Sequence, residues 1–147
     1  MSRRIEDVIA VAERRLGGVN QRLTSGRRAL LAILTDTDRP LTLPEVLDAD
    51  SSLAQSSAYR NLVVLEEAGV VERVVTRDEF ARYELTEDLT GHHHHLVCSG
   101  CGRVEDLAAT PSLERAVTST VAAVQRQRGF RVDDHRLDLI GMCADCA

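Results

Sequence analysis

The residues best suited to chemistry in this 147-residue sequence cluster in its second half. Four Cys stand as Cys98-Ser-Gly-Cys101 and Cys143-Ala-Asp-Cys146, two C-x-x-C pairs separated by residues 102–142. Four thiolates at this spacing suit tetrahedral Zn2+, and a filled four-cysteine set leaves no open coordination position, so its role is structural. Such a site contributes about 10–16 kcal/mol of apparent binding energy to folding. Gly100 and Gly102 ease the tight turn around Cys101. The competing reading is four free or redox-active thiols. In a chain without a secretory signal, paired C-x-x-C motifs favour metal over disulfides.

The run His92-His93-His94-His95 leads directly into Leu-Val-Cys98. Side chains alternate between faces along a strand. His92 and His94 therefore point one way, and His93 and His95 the other, so one short segment can feed two imidazole-rich sites. Further ligands are on offer from Glu84, Glu87, Asp88, Glu105, Asp106, Glu114 and His135. Nitrogen–oxygen sites of this kind suit Zn2+, Fe2+, Mn2+ or Ni2+, and composition does not choose among them.

A second kind of chemistry lies in Ser56-Ser-Ala-Tyr-Arg-Asn-Leu62. On a helix with Ala58, Leu62 and Leu65 turned inward, Ser57, Tyr59, Arg60 and Asn61 are left to reach solvent. Hydroxyls, a guanidinium and an amide near a helix N-terminus suit phosphates and base edges. Arg22, Arg27 and Arg28 stand upstream, where they can supply phosphate contacts. Tyr83 reads as packing.

These groups need elements to position them. Ile5, Val8, Ile9, Ala12 and Leu16 recur at helical spacing, and Gly17-Gly18 supplies a stop. A second helix is expected from about Gly26 to Leu34, with Thr24 or Ser25 near its N-cap. Thr42-Leu-Pro-Glu45 is a capping-box pattern that opens a short third helix. Ser56 or Ser57 can cap a fourth, which Gly69 ends. Two β-like runs come next, at 70–75 and 81–85. Three short helices before a β-hairpin is the order of a winged helix-turn-helix. From about Asp88, strands are expected at 92–97 and 104–107. A helix opened by Thr110-Pro111 and stopped by Gly129 carries Leu113, Val117, Val121 and Val124 on one stripe, and one or two strands are expected within 130–140. The expected class is α+β, with one domain over 1–87 and a small α/β domain over 88–147.

Apolar residues make up 44% of the chain with no Trp, enough for an aliphatic core. No apolar run approaches the roughly 18–20 residues of a membrane span, so a soluble, unprocessed, cytoplasmic chain without membrane partners is expected. Taken alone, the net charge of −5 argues against nucleic acid, but its distribution is uneven. Every basic residue is Arg, and residues 1–35 hold seven Arg against three acids.

The His-run with the paired Cys, together with His135-Arg-Leu-Asp-Leu-Ile-Gly-Met-Cys143, resembles the ferric uptake regulator family. Ser57-Ala-Tyr-Arg-Asn-Leu62 resembles its recognition-helix signature, and Arg22-Leu-Thr24 with Arg27 the signature before its second helix. The resemblance covers nearly the whole chain. It implies a homodimeric, metal-activated repressor of metal-homeostasis genes that binds double-stranded operator DNA. It also implies an N-terminal winged helix and a C-terminal dimerisation domain.

Carried onto this sequence, the structural zinc falls on Cys98, Cys101, Cys143 and Cys146. A regulatory hinge site falls on Glu84, His93 and His95, with Asp106 as a further ligand. A second dimerisation-domain site falls on His92, His94, Glu114 and His135. DNA contacts fall on Arg22, Arg27, Ser57, Tyr59, Arg60 and Asn61. The second divalent metal is expected to be Zn2+ or Fe2+, with Mn2+ or Ni2+ as alternatives.

The sequence also departs from the family's pattern. The loop Asp38-Arg-Pro-Leu-Thr42 lacks the family's usual regulatory His, and the wing turn lacks its common glycines. Asp106 stands where iron-sensing members usually carry Glu and peroxide-sensing members Asp, so peroxide sensing is the alternative within the family. Outside it, the rivals are a metalloenzyme, opposed by the absence of an H-E-x-x-H or zinc-deaminase pattern, and a zinc module that does not bind DNA.

Overall fold

The apolar stripe Ile5, Val8, Ile9, Ala12 and Leu16 is the inner face of a 16-residue helix, α1 (Arg3–Gly18). The structure, a computed structural model, describes residues 3–78 and 80–147; residues 1, 2 and 79 of the expected first domain lie outside it. The chain divides into two units, one ending at Gly91 and the other covering His92–Ala147.

In the first unit, Thr24 caps α2 (Ser25–Thr35) by accepting from the Arg27 N–H. β1 (Leu41–Thr42) runs into α3 (Leu43–Ala49), whose capping box is complete. Thr42 Oγ1 accepts from the Glu45 N–H, and the Glu45 carboxylate accepts from the Thr42 N–H. α4 (Gln55–Glu67) starts one residue before the expected serines. Its N-cap is Ala54, with no side-chain cap, so Ser56 and Ser57 fall inside the first turn. The preceding turn is instead closed by Asp50, whose carboxylate accepts from both the Ser52 N–H and its hydroxyl.

Gly69, at φ +75°, lets the chain turn out of α4 into β2 (Val71–Val75) and β3 (Ala81–Leu85). With β1 these form an antiparallel sheet in the order β1-β3-β2, pairing Leu41 with Tyr83 and Arg73 with Tyr83. β1 is too short for sequence periodicity to reveal. Leu30, Leu31, Leu34, Val46, Ala58, Leu62, Leu65, Val71 and Leu85 pack with the α1 stripe into one aliphatic core. Each fully buried Leu contributes roughly 1.5–3 kcal/mol. Tyr83 is buried there, and burial raises its phenol pKa. Around this core, α2, α3 and α4 followed by the β2–β3 hairpin make a winged helix-turn-helix, with α1 packed against it.

A short helix, α5 (Glu87–Thr90), groups with this unit, so residues 88–91 stand with the winged helix rather than with the second unit. Arg15 is the reason: it pairs with the Asp88 carboxylate and donates to the Gly69 carbonyl at 2.6 Å, while Leu89 packs against the core.

In the second unit, β4 (His93–Cys98) is the centre of a sheet ordered β5-β4-β6. β5 (Val104–Ala108) pairs with it antiparallel, and β6 (Asp138–Gly141) parallel. α6 (Pro111–Arg128) is capped by Thr110 Oγ1, with Pro111 in its first turn, and ends at Gly129 in the left-handed region (φ +61°). The expected strand content of 130–140 is confined to β6. Upstream, side chains bond locally instead: Arg131 Nε to Asp133 at 2.8 Å, and the His135 N–H to its neighbour Asp134 at 2.7 Å. Such bonds compete with a strand ladder. Among the described residues, no helix is long and apolar enough to cross a membrane.

Candidate metal centres and nucleic-acid face

The first Cys pair sits where β4 ends and turns toward β5, and the second comes just after β6. Parallel pairing of β4 with β6 brings the knuckles together, and the four Sγ atoms all lie within 4.8 Å of one another. Cys101 Sγ and Cys143 Sγ are 3.8 Å apart. That separation is far too long for a disulfide. It matches the edge of a tetrahedron with metal–sulfur bonds of about 2.3 Å. Gly100 fits closely here: a Cβ would stand 3.1 Å from both Cβ and Sγ of Cys146, which would have to give by a few tenths of an ångström.

Cys98 Sγ accepts from the N–H of Cys101 and of Cys143, which lower its thiol to about 6. At the other extreme, Cys146 is pushed up to about 12, first by its interaction with Cys143 and then with the other two thiols. Four thiols this close do not ionise together unless a cation neutralises them, so the donor set fits zinc.

The alternation expected of the His-run is present. On one side of β4, three imidazoles converge on Glu114 of α6. His94 Nε2 lies 2.6 Å from Oε1, and His92 Nε2 and His135 Nε2 each lie 3.0 Å from Oε2. His92 Nε2 and His135 Nε2 are themselves 3.0 Å apart. The His94 hydrogen bond is the main cause lowering the Glu114 carboxyl, aided by attraction to His92 and His135. All four ligand atoms lie within 4.8 Å of one another.

On the other side, His93 Nε2 and His95 Nε2 stand 3.7 and 3.8 Å from Asp106 Oδ1 on β5, with ring centroids 5.1 Å apart. Glu84 belongs to the first unit, on β3 opposite Glu72. Sequence reasoning missed Asp138. It is paired with His95 across the parallel ladder, and its Oδ1 lies 3.6 Å from His95 Nδ1. Its signal is its place in His135-Arg-Leu-Asp138, visible only once β6 is known to lie beside β4.

Of the expected DNA-contacting residues, Ser57, Tyr59 and Arg60 are exposed on α4, and Arg22 is exposed before α2. Arg27 and Asn61 differ: they are only part-exposed and bind one another, Arg27 Nε donating to Asn61 Oδ1 at 3.0 Å. Arg28 is exposed, 3.9 Å from Glu13.

A winged helix joined to a unit with one thiolate and two imidazole–carboxylate ligand sets defines a winged-helix metalloprotein. The chain belongs to the ferric uptake regulator family, whose family model matches residues 19–140. It is 28% identical to the ferric uptake regulation protein of Bacillus subtilis (strain 168), over 97% of this chain and 96% of that one. It is 29% identical to the peroxide operon regulator of the same organism, over 86% and 84%. Its fold matches that of the Helicobacter pylori ferric uptake regulator, a structure described as revealing three functional metal binding sites. The TM-score is 0.78 at 21% identity, covering 97% of this chain and 93% of that one. Members of the family are metal-responsive transcription regulators, not enzymes.

Proposed function

We propose that this chain is a cytoplasmic, homodimeric repressor that binds double-stranded operator DNA when a divalent metal occupies the site on the His93/His95 face of β4. The observation that carries the reading is that β4 presents two separate imidazole–carboxylate sets on its opposite faces, in a chain whose winged helix exposes Ser57, Tyr59 and Arg60. Glu84 is proposed to join His93, His95 and Asp106 as ligands of the regulatory ion, taken as Zn2+ or Fe2+. His92, His94, Glu114 and His135 hold a second ion, and the four Cys a structural Zn2+. When bound, the regulatory ion supplies positive charge and fixed geometry that favour one arrangement of the protein, and DNA selects the same arrangement. The coupling is then reciprocal: DNA tightens metal binding by the factor that metal tightens DNA binding, on the order of 5–150-fold.

The test is an anisotropy titration of promoter duplexes with protein loaded with Zn2+, Mn2+, Fe2+ or Ni2+ or stripped by chelator, alongside metal analysis. His93→Ala is expected to abolish the metal response while keeping the Cys-bound zinc. A wild-type metal response in that variant refutes the regulatory assignment, and metal-independent affinity refutes the switch.

A second reading is peroxide sensing, favoured by Asp106 and by similarity to a peroxide operon regulator. It predicts that hydrogen peroxide releases the Fe2+-loaded protein from DNA but leaves the Zn2+-loaded protein bound.

A further inference from the structure

Two residues whose types suit contact with nucleic acid face each other instead. Arg27 is anchored three ways at the start of α2. Its N–H donates to Thr24 Oγ1, one terminal nitrogen donates to the Arg22 carbonyl at 2.6 Å, and Nε donates to Asn61 Oδ1 at 3.0 Å. These bonds tie the segment before α2, the first turn of α2 and the outer face of α4 into one unit. Asn61 comes directly after the exposed Tyr59-Arg60 pair.

Gly26 is an independent sign that the arrangement is built in. A Cβ at that position would stand 3.2 Å from Asn61 Nδ2, so the absence of a side chain leaves room for the amide. Ala at position 26 would displace it by a few tenths of an ångström. Bidentate reading of adenine by an Asn uses both its amide oxygen and its NH2 group. This amide is part-buried, and its oxygen already accepts a charge-assisted bond from Arg27.

We infer that Asn61 is a positioning residue rather than a base-reading one: through Arg27 it locks α4 to α2 and so sets the angle at which Tyr59 and Arg60 are presented to DNA. The inference rests on the DNA-binding reading above, and two features of its test keep the two separable. Metal-loaded wild-type protein first selects duplexes from a random-sequence library. The enriched consensus and each of its single-base-pair variants are then titrated with wild type and variants.

Asn61→Ala is expected to lose affinity for the consensus on the order of tenfold, while the relative penalty at every base pair is kept. Asn61→Asp keeps an acceptor for Arg27 but loses the amide donor. It is expected to recover most of the lost affinity with the consensus unchanged. Arg27→Ala with Asn61→Ala is expected to be little worse than the more severe single change, because both break the same bond. Gly26→Ala is expected to shift affinity in the same direction as Asn61→Ala, by less.

Relaxed discrimination at one or two base pairs in Asn61→Ala or Asn61→Asp overturns the inference, as does additivity in the double variant. If wild type enriches no consensus at all, the DNA-binding reading falls and this inference falls with it.

Discussion

Four thiols held within 4.8 Å of one another create an ordered titration rather than four similar ones. Cys98, served by two backbone N–H groups, ionises near 6, whereas Cys146 holds its proton to about 12. An unperturbed Cys ionises near about 8.5. In the metal-free, reduced protein, the depressed thiol adds stability that is complete above about 8.5 and lost as pH falls through about 6. The raised thiol works in the opposite sense: its contribution is complete below about 8.5 and lost as pH rises toward about 12. Chemical denaturation of chelator-stripped, reduced protein is therefore expected to give a maximum in stability near about pH 8–9. With zinc bound, all four thiols are deprotonated in the folded state. Stability should then rise with pH until the unfolded chain's thiols ionise near about 8.5 and stay flat above it, without the fall toward about 12; an unchanged profile would contradict zinc on the four Cys. Glu114 supports a prediction of a different kind, since three imidazoles share its two oxygens. Glu114→Ala is expected to lower the metal content by one ion per protomer and leave the Cys-bound zinc in place, as read by metal analysis with and without thiol modification.

At the level of elements, legibility in the sequence tracks the range of the interaction responsible. The starts of α2, α3 and α6 were readable because Thr24, Thr42 and Thr110 act on N–H groups three residues away. The two-faced use of β4 was readable because alternation is a property of the strand alone. The start of α4 was not, because Ala54 offers no cap and the turn before it is closed by Asp50. Asp138 beside His95, and Arg27 bound to Asn61, depend on which elements become neighbours, which no local pattern encodes. The missing cap makes a prediction: Ala54→Ser is expected to stabilise the winged helix by about 1 kcal/mol in denaturant titration. The wing turn makes another. It contains no glycine, and buried Arg82 holds it instead, donating to both oxygens of Asp78, to Thr76 Oγ1 and to the Phe80 carbonyl. Those bonds hold the Asp78 carboxyl far below the usual carboxylate range, so the pair should stay ionised well below about pH 4. The stability it adds is complete above about 4 and is lost only as the pH falls on through the depressed value. Asp78→Ala is expected to cost on the order of 1–2 kcal/mol and to raise hydrogen-exchange rates across β2 and β3. Unchanged exchange there would show that the turn does not depend on this pair.

For the molecule as a whole, the second unit poses a packing problem that one copy of it leaves open. α6 has 18 residues and none of them is buried. Its stripe of Leu113, Val117, Val121 and Val124 is only part-covered, and Leu139, Ile140 and Met142 in the same unit are more than half exposed. A domain this small buries too little apolar surface to be comfortably stable alone, and commonly relies on a metal or on oligomerisation. Zinc on the four-cysteine set would meet the first need, and a second copy of the same face would meet the second in the self-complementary manner of a two-fold dimer. Such a dimer also presents two recognition helices, which suits half-sites about one helical turn apart, roughly 34–36 Å on B-DNA. Sedimentation equilibrium is therefore expected to find a dimer, and Val117→Glu with Val121→Glu to yield monomers by burying two unpaired carboxylates in the contact. The separation of effects decides the matter. If the face joins protomers, those monomers should keep their Cys-bound zinc and lose most of their affinity for a full operator, because one helix and its phosphate contacts no longer bind together with the other. A variant that remains dimeric would place the contact elsewhere. A monomer with undiminished operator affinity would mean that one winged helix suffices, and that the apolar face of α6 serves something other than DNA recognition.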